Sequence, residues 1–405
     1  MKHKFDVIVV GAGPVGITCA LSLFRQGLTV CVLEKEPAPV LDQRAASVQP
    51  STLDLLDELG IVEGMVERGL QSPIFQFYDR ITGDIVARFD LTLLKNELKY
   101  PFVLQYEQYK FTRDITEKYL SETDFATLYS HSFVNFENKG DYFQILVETP
   151  DGEAFFEAKY LVGADGSRST VRQMADIEFE GFTYEERFLK IATDFDFQSV
   201  HPEYVYRNYF SDPEEWCNFF RVKGERPEGL WRAVFPTRRD ESAEEALKPE
   251  SIERRLNKFF PDVSGYNIEY ANVYTVGQRV AKTFYKDRIC LAGDASHINN
   301  PIGGMGMNGG IHDAINLAEK LAPVIKGQAK EDLLNLYSRQ RRFAAIEYVQ
   351  AQTIANKKLL EERDLEVRKR NLEELRKISE NEETARAYVR KTSLLESLRR
   401  AAEIN

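Results

Sequence analysis

The fold is decided by the stretch FDVIVVGAGPVG, which occupies residues 5–16. The apolar run of residues 5–10 is typical of a parallel strand that is covered on both faces. Over residues 14–25 the apolar positions recur with helical period. A second strand over residues 29–33 and a short helix over residues 51–59 follow. The pattern therefore predicts a strand–helix–strand unit of the doubly wound α/β type.

The glycines of the first turn indicate a nucleotide site. In the pattern GxGxxG, Gly11 permits a tight turn, Gly13 lets a diphosphate approach the backbone, and Gly16 lets the helix pack on the strand. Glu34 ends the second strand, where it would accept hydrogen bonds from ribose hydroxyls and would repel a 2′-phosphate. The motif therefore predicts FAD or NAD, although a glycine-rich turn is merely structural in some proteins.

Two later motifs extend this interpretation. Gly293 and Asp294 end a buried strand, where a lone carboxylate needs a polar partner. A ribityl chain would provide that partner, and a helix N-cap is the alternative role. Five glycines between residues 303 and 310 would then bring the backbone against a flat ligand. Together with Asp165, which alone indicates a plain turn, these motifs predict a long dinucleotide in extended form, namely FAD.

Composition limits the class of protein. The net charge of -11 over 405 residues argues against a nucleic-acid binder. No apolar run approaches the roughly 20 residues needed to span a bilayer. The four cysteines have neither metal-ligand nor CxxC spacing. We therefore expect no metal site, and reduced cysteines in a cytoplasmic protein.

The chain is expected to be an α/β protein with a Rossmann-like FAD-binding fold, an inserted, mostly antiparallel β-sheet and C-terminal helices. The expected parts are an FAD-binding domain over residues 1–74, 101–184 and 276–330, a substrate-binding sheet domain over 75–100 and 185–275, and a helical region over 331–405. The alternating charges of the last region predict solvated helix with i,i+4 pairs and no charged binding site.

Together these residues resemble the class A, single-component flavoprotein aromatic hydroxylases, the para-hydroxybenzoate hydroxylase family. The resemblance is carried by GxGxxG with Glu34, by Arg44 and Gln105, by the Asp165 segment, and by AGDASHINNPIGGMGMN at 292–308. The segment GLWR at 229–232, followed by Phe235 and Pro236, resembles the branch around 3-(3-hydroxyphenyl)propionate hydroxylase. Met305 stands where the family often has glutamine.

The resemblance implies an activity. NADH or NADPH would reduce FAD, O2 would add to the flavin as a C4a-hydroperoxide, and a hydroxyl group would pass to a small aromatic or heteroaromatic, phenol-like substrate. The family also implies a homodimer as the expected assembly. The alternatives are a flavin-dependent reductase or dehydrogenase without oxygen insertion, and a non-catalytic carrier protein with the same fold.

The resemblance and the motifs assign residues to the site. The cofactor-binding residues are predicted to be Gly11, Gly13, Pro14, Val15, Gly16, Glu34, Lys35, Arg44, Gln105, Asp165, Gly293, Asp294, Gly304, Gly306, Met307 and Asn308. The flavin ring is expected to lie beside Pro301, Gly303 and Gly304. The substrate candidates on the inserted sheet are Tyr206, Tyr209, Phe219, Arg221 and Trp231, with ordinary sheet packing as the alternative for each. His312 is either an exposed polar residue or a group near the flavin.

Overall fold

The computed structural model describes residues 3–40, 45–119, 122, 124–226, 228–259, 263 and 265–405. The strands are β1 (Lys4–Val10), β2 (Val30–Leu33), β3 (Ser47–Val48), β4 (Leu70–Ser72), β5 (Ile74–Asp79), β6 (Ile85–Asp90), β7 (Val103–Gln105), β8 (Phe125–Leu128), β9 (Ser132–Asn138), β10 (Phe143–Thr149), β11 (Gly152–Gly163), β12 (Phe179–Thr193), β13 (Arg207–Ser211), β14 (Cys217–Val222), β15 (Leu230–Pro236), β16 (Ile268–Ala281), β17 (Tyr285–Lys286), β18 (Ile289–Leu291) and β19 (His297–Ile298).

The helices are α1 (Pro14–Arg25), α2 (Pro50–Asp57), α3 (Val62–Arg68), α4 (Gln108–Lys118), α5 (Thr170–Met174), α6 (Phe197–Val200), α7 (Ala243–Ala246), α8 (Pro249–Asn257), α9 (Gly306–Ile325), α10 (Asp332–Ala344), α11 (Ala351–Glu361), α12 (Leu365–Glu380), α13 (Glu382–Thr392) and α14 (Leu395–Ala402). Short 3-10 helices occupy Leu91–Leu94 and Gly293–Ala295, and a π-helical segment occupies Ala345–Gln350 between α10 and α11.

The first sheet carries the predicted strand–helix–strand unit. Its strands lie in the order β17-β18-β11-β1-β2-β8, and β1 is parallel to both β2 and β11. Val7, Ile8 and Val9 of β1 are completely buried. A strand that is covered on both faces requires such a continuous apolar run. The Rossmann-like fold expected from the sequence is therefore confirmed.

The second sheet is mostly antiparallel, with the order β19-β16-β12-β15-β14-β13-β5-β6 and one parallel pair, β13 with β5. One face packs on α8, where Phe219 and Trp231 belong to the same buried cluster as Leu256. The opposite face packs against Ile302 and against Val389 of α13. The second sheet therefore has α8 on one face, and Ile302 and the C-terminal helices on the other.

The long strands β12 and β16 pass the expected domain limits, since β12 begins at Phe179 and β16 ends at Ala281. The division into an FAD-binding domain, a substrate domain and a helical region therefore remains a proposal. In the described part of the chain, no helix combines the length and the apolar character that a bilayer span requires.

His312 lies inside the molecule, where α9 packs on α2. Its Nε2 atom is 2.8 Å from Thr52 Oγ1, and the whole residue is buried. Burial lowers the pKa of His312 to about 3, and the neighbouring Arg341 acts in the same direction. His312 is therefore a neutral packing residue near pH 7, and the expectation that it is exposed is wrong.

The buried imidazole makes stability depend on pH. The unfolded side chain titrates near about 6.5, so between that value and the folded value the unfolded state binds more protons. Stability should therefore fall as the pH decreases from about 6.5, with this group contributing up to about 1.4 kcal/mol per pH unit. We expect His312→Gln to remove this slope, measured by urea unfolding at several pH values between about 5 and 6. His201→Gln, a partly exposed surface histidine, is the control, and an unchanged slope in His312→Gln would contradict the assignment.

Candidate active site at the ends of the parallel strands

Three motifs that are distant in sequence meet at one edge of the first sheet. The register pairs Val10 of β1 with Gly163 of β11, and Gly163 with Leu291 of β18. Because parallel strands end at the same edge, the turns that follow these residues are neighbours. Gly11 has a φ of +102°, and a Cβ added there would lie 2.5 Å from the carbonyl oxygen of Ala164. Only glycine therefore fits at this contact.

The first turn leaves room for a diphosphate. A Cβ added at Gly13 would meet no atom within 4 Å, whereas one at Gly16 would lie 1.9 Å from the Gly11 carbonyl oxygen. Gly16 therefore brings α1 against the turn, and Gly13 stays open beside the N-terminus of that helix. Pro14 is the first residue of α1, where no backbone donor is needed. Free N–H groups and the helix dipole make this end of α1 suitable for an anion.

Glu34 lies against the same turn. Its Oε2 accepts a hydrogen bond from Ala12 N at 2.8 Å, and its Oε1 accepts one from Glu36 N at 3.0 Å. A carboxylate has about four acceptor sites, so two remain for ribose hydroxyls. Lys35, also predicted to bind the cofactor, points towards solvent with 72% of its side chain exposed and lies 3.9 Å from Glu36. Arg44 lies outside the described residues.

Two buried polar atoms nearby have no partner among the described residues. Gln105 Oε1 accepts a hydrogen bond from Ser47 Oγ at 2.9 Å, but Gln105 Nε2 is buried and unpaired. Asp165 Oδ2 accepts one from Val171 N at 3.1 Å, while Asp165 Oδ1 is buried and unpaired. Burial also raises the pKa of Asp165. Since buried polar atoms normally have partners, these two atoms fit a polar ligand that supplies them.

The glycine loop, which we define as residues 301–308, follows β19 and leads into α9. Gly303 and Gly304 have φ values of +102° and +67°. Asn308 fixes the loop, because its Nδ2 donates to Gly304 O at 2.6 Å and to Ser47 O at 2.8 Å, and its Oδ1 accepts from Gln49 N at 2.8 Å. Pro301, at the start of the loop, is exposed.

A buried carboxylate holds the second motif in place. Asp313 Oδ2 accepts a hydrogen bond from Gly293 N at 3.1 Å and lies 2.8 Å from His297 Nε2, while Oδ1 accepts one from Arg341 Nε at 2.6 Å. Burial alone would raise the pKa of Asp313, but its charged neighbours hold it below the ordinary value. Asp294 itself is exposed at this edge. Asp313 and Arg341 belong to no recognisable sequence motif, so the sequence alone carries no signal for either residue.

The starts of α1 and α9 are adjacent. A Cβ added at Gly310 would lie 2.5 Å from Val15 Cγ2, and one added at Gly293 would lie 2.8 Å from the same atom. Val15 therefore touches both the Gly293 turn and α9. Gly306 and Met307 form the first turn of α9. The first turns of α1 and α9 therefore lie side by side at this edge of the sheet.

A cavity lies between the glycine loop, the second sheet and α13. We call it the aromatic cavity. Its lining consists of Gln49, Phe75, Phe77, Leu91, Arg207, Tyr209, Gly303, Met305, Asn356, Tyr388 and Thr392. Arg207 Nη2 donates a hydrogen bond to Tyr209 OH at 3.0 Å, and its guanidinium lies 5.3 Å from the ring centre of Phe75. The lining therefore combines aromatic and apolar side chains with one cation, Arg207, and with the polar side chains of Gln49, Asn356 and Thr392. The cavity encloses about 20 Å³, space for about one water molecule, so a ring fits there only when lining side chains move apart.

The five substrate candidates separate into two groups. Tyr209 lines the aromatic cavity, but the described lining contains none of the other four. Phe219 stacks on Trp231 with ring centres 5.2 Å apart, and the Arg221 guanidinium lies 5.7 Å from the Tyr206 ring centre. Phe219 and Trp231 belong to the buried cluster on the face that packs on α8. Successive side chains of a strand point to opposite faces, and sequence alone did not reveal which face meets the cofactor.

Similarity to known proteins agrees with this geometry. Residues 4–352 match the family described as FAD binding domain. Para-nitrophenol 4-monooxygenase from Pseudomonas sp. (strain WBC-3) is 32% identical over 371 residues, which are 90% of this chain and 89% of that protein. A 3-(3-hydroxy-phenyl)propionate/3-hydroxycinnamic acid hydroxylase from Mycolicibacterium smegmatis is 30% identical over 347 residues, which are 83% of this chain and 58% of that protein.

A solved structure extends the similarity to the whole fold. The crystal structure of p-nitrophenol 4-monooxygenase from Pseudomonas putida DLL-E4 matches with a TM-score of 0.91 and 31% identity, and the match covers 98% of this chain and 99% of that one. The resemblance stated from the sequence is confirmed. The chain belongs to the FAD-binding-domain family and is an FAD-dependent aromatic monooxygenase.

Proposed function

We propose that this monooxygenase uses NAD(P)H and O2 to hydroxylate a small phenol-like or heteroaromatic ring bound in the aromatic cavity. The observation that carries the proposal is the position of Gly303 and Met305. Both belong to the glycine loop and also line the cavity. A ring held there would lie next to the backbone that we expect to border the flavin.

The residues at the sheet edge fit FAD in extended form. The open backbone at Gly13 and the N-terminus of α1 would hold the diphosphate. Glu34 would bind the adenosine ribose, and Asp294 the ribityl chain. The unpaired atoms of Gln105 and Asp165 would gain partners. When bound, FAD supplies the electron transfer and oxygen activation that amino-acid side chains cannot provide.

The cavity residues would position the ring and exclude water. Phe75 and Phe77 offer aromatic faces, and offset or edge-on contacts between rings are favourable. Arg207 is 93% buried and would attract a phenolate or another anionic substituent, with Tyr209 OH as its present partner. Met305 and Leu91 complete an apolar wall that keeps solvent from the reacting atoms.

Three further expectations belong to this proposal. NADH or NADPH acts as a co-substrate. The GxGxxG pattern occurs a second time at residues 304–309, but there it begins in the glycine loop, which follows β19 of the second sheet and no strand of the first. The protein works in the cytoplasm, since its four cysteines, all within the described ranges, are buried and free. The assembly is a homodimer, as the family resemblance implies.

The proposal is tested by a screen of phenols and heteroaromatic acids. We expect at least one ring to stimulate NAD(P)H consumption and to gain 16 mass units, detected by mass spectrometry, with the oxygen labelled when 18O2 is supplied. If every ring that stimulates consumption yields only hydrogen peroxide in an amount equal to the NAD(P)H used, the protein is a reductase and the proposal is wrong.

Glu34→Ala should weaken FAD binding. The variant removes a charge-assisted hydrogen bond to the ribose, and we expect a loss of roughly 1–3 kcal/mol in the free energy of FAD binding. Titration of the deflavinated protein with FAD measures this change. Glu137→Ala is the matched control, because Glu137 is 66% exposed and pairs only with Lys139 in the described residues. Equal FAD dissociation constants for the wild type and Glu34→Ala would show that Glu34 does not bind the cofactor.

Arg207→Gln should impair binding of anionic rings more than binding of neutral ones. A hydrogen bond to a charged group contributes about 1.5–3 kcal/mol, so KM for a phenolate or carboxylate substrate should rise about tenfold or more. The KM for NAD(P)H should remain close to that of the wild type. Arg239→Gln is the control, because the Arg239 side chain is 78% exposed and the residue follows β15 of the same sheet. An equal rise of KM for neutral and anionic rings would contradict a charge-specific role.

A further inference from the structure

The C-terminal helices contribute to the aromatic cavity, although they follow the residues that match the family. Tyr388 and Thr392 of α13 form part of its lining. The Tyr388 ring stacks on Phe89 of β6, with centres 4.2 Å apart and planes 16° apart. It also lies 6.4 Å from the ring centre of Phe75. The helix therefore forms a wall of the site, in contrast to the solvated helix expected from its charges.

A single carboxylate joins this wall to the segment that carries Leu91, another lining residue. Glu97 follows the 3-10 helix that places Leu91 in the lining. Arg390 of α13 donates to both Glu97 oxygens, with Nε at 3.0 Å from each and Nη2 at 2.8 Å from Oε1. Arg399 of α14 approaches Glu97 Oε2 at 2.9 Å. Arg386 of α13 also donates to the carbonyl oxygen of Leu93.

The geometry of this cluster sets it apart from ordinary surface pairs. A lone exposed ion pair contributes little to stability, because solvent screens the charges and two long side chains must be ordered. Here the Glu97 side chain is only 15% exposed, the contact with Arg390 is bidentate, and the same carboxylate serves two helices. Bidentate arginine–carboxylate pairs fix orientation as well as distance. Glu97 therefore helps to fix the position and orientation of α13.

The same C-terminal segment reaches the glycine loop. Leu394, between α13 and α14, forms a small buried cluster with Met305 and Val349. Its φ is +62°, a backbone conformation that branched side chains rarely adopt. Ser51 Oγ donates to the carbonyl oxygen of Ser393 at 2.5 Å. Met305, which replaces the glutamine often found in the family, thus has an apolar partner that the C-terminal segment supplies.

We propose that Glu97 is a positioning residue for hydroxylation, because through Arg390 and Arg399 it holds Tyr388 and Leu394 against the aromatic cavity and the glycine loop. This inference rests on the function proposed above. Productive turnover converts ring C–H, NAD(P)H, H+ and O2 into ring C–OH, NAD(P)+ and H2O. When the wall loosens and water enters, NAD(P)H, H+ and O2 give NAD(P)+ and H2O2 instead, and the ring is released unchanged.

The test compares Glu97→Gln with Glu373→Gln. Glu373 is the matched control, since it pairs with Lys377 on its own helix and is 50% exposed. In Glu97→Gln we expect the share of NAD(P)H that ends as H2O2 to rise several-fold and KM for the ring to rise. The rate of flavin reduction and the FAD content should stay near the wild-type values. Hydrogen exchange measured by mass spectrometry should be faster over residues 382–405, a readout that does not depend on turnover.

Further variants separate positioning from folding. Glu97→Asp keeps the charge, so the share of NAD(P)H that is coupled to hydroxylation should be higher than in Glu97→Gln. Arg390→Gln should resemble Glu97→Gln. The inference would be overturned if Glu97→Gln showed faster hydrogen exchange over residues 382–405 but kept the wild-type yield of hydroxylated ring per NAD(P)H and the wild-type KM. A loss of FAD or of cooperative unfolding in all three variants would also overturn it, since Glu97 would then be merely structural.

Failure of the proposed function gives a different result. In that case the wild type itself would hydroxylate no ring. The role of Glu97 would then be decided by hydrogen exchange and by ring binding to the oxidised enzyme, followed through the flavin absorbance difference spectrum. Equal ring affinity in the wild type and Glu97→Gln would reject the inference, and a several-fold weaker affinity in Glu97→Gln together with faster exchange would support it.

Discussion

The structure depends on one constraint, the common edge at which the parallel strands β1, β11 and β18 end. Hydrogen bonding between neighbouring strands fixes their register, so the three turns that follow must meet. The approach of Gly11 to Ala164 allows no side chain, and at Gly16 the approach of α1 to the Gly11 carbonyl oxygen is closer still. Residues separated by more than a hundred positions in sequence thereby form one binding surface, as the open edge of an α/β sheet commonly does.

Buried charge keeps this edge in a defined shape. Removing charges from water is costly, and a buried pair is tolerated only when good geometry and further hydrogen bonds compensate. Asp313 meets that condition with Arg341, His297 and the backbone of Gly293. The same carboxylate thus balances the buried charge of Arg341 and fixes the turn in which Asp294 lies. The position of Asp294, which we propose binds the ribityl chain, and the stability of the core therefore depend on the same atoms.

Local sequence patterns predicted the helices and strands well, but they predicted the contacts between distant elements poorly. The helix expected over residues 14–25 is observed at Pro14–Arg25, because the glycine turn and the helical period are both local signals. The strands around Tyr209 and Phe219 were also expected. Only the assembled sheet shows that the two side chains lie on opposite faces, with Tyr209 at the cavity and Phe219 in the cluster that packs on α8. The pairing of Glu97 with Arg390 joins residues 293 positions apart. No period or motif encodes such a contact, so the role of the C-terminal helices could not be predicted.

We infer that one extended FAD spans this edge, with adenosine at Gly13 and Glu34 and the flavin ring at the glycine loop. Calorimetric titration of the deflavinated protein with FAD and, separately, with FMN tests it most directly. We expect one FAD per chain and an FMN dissociation constant at least about tenfold higher, a difference of about 1.4 kcal/mol, because FMN lacks the adenosine half. FMN binding as tightly as FAD would show that Gly13 and Glu34 do not hold the adenosine half.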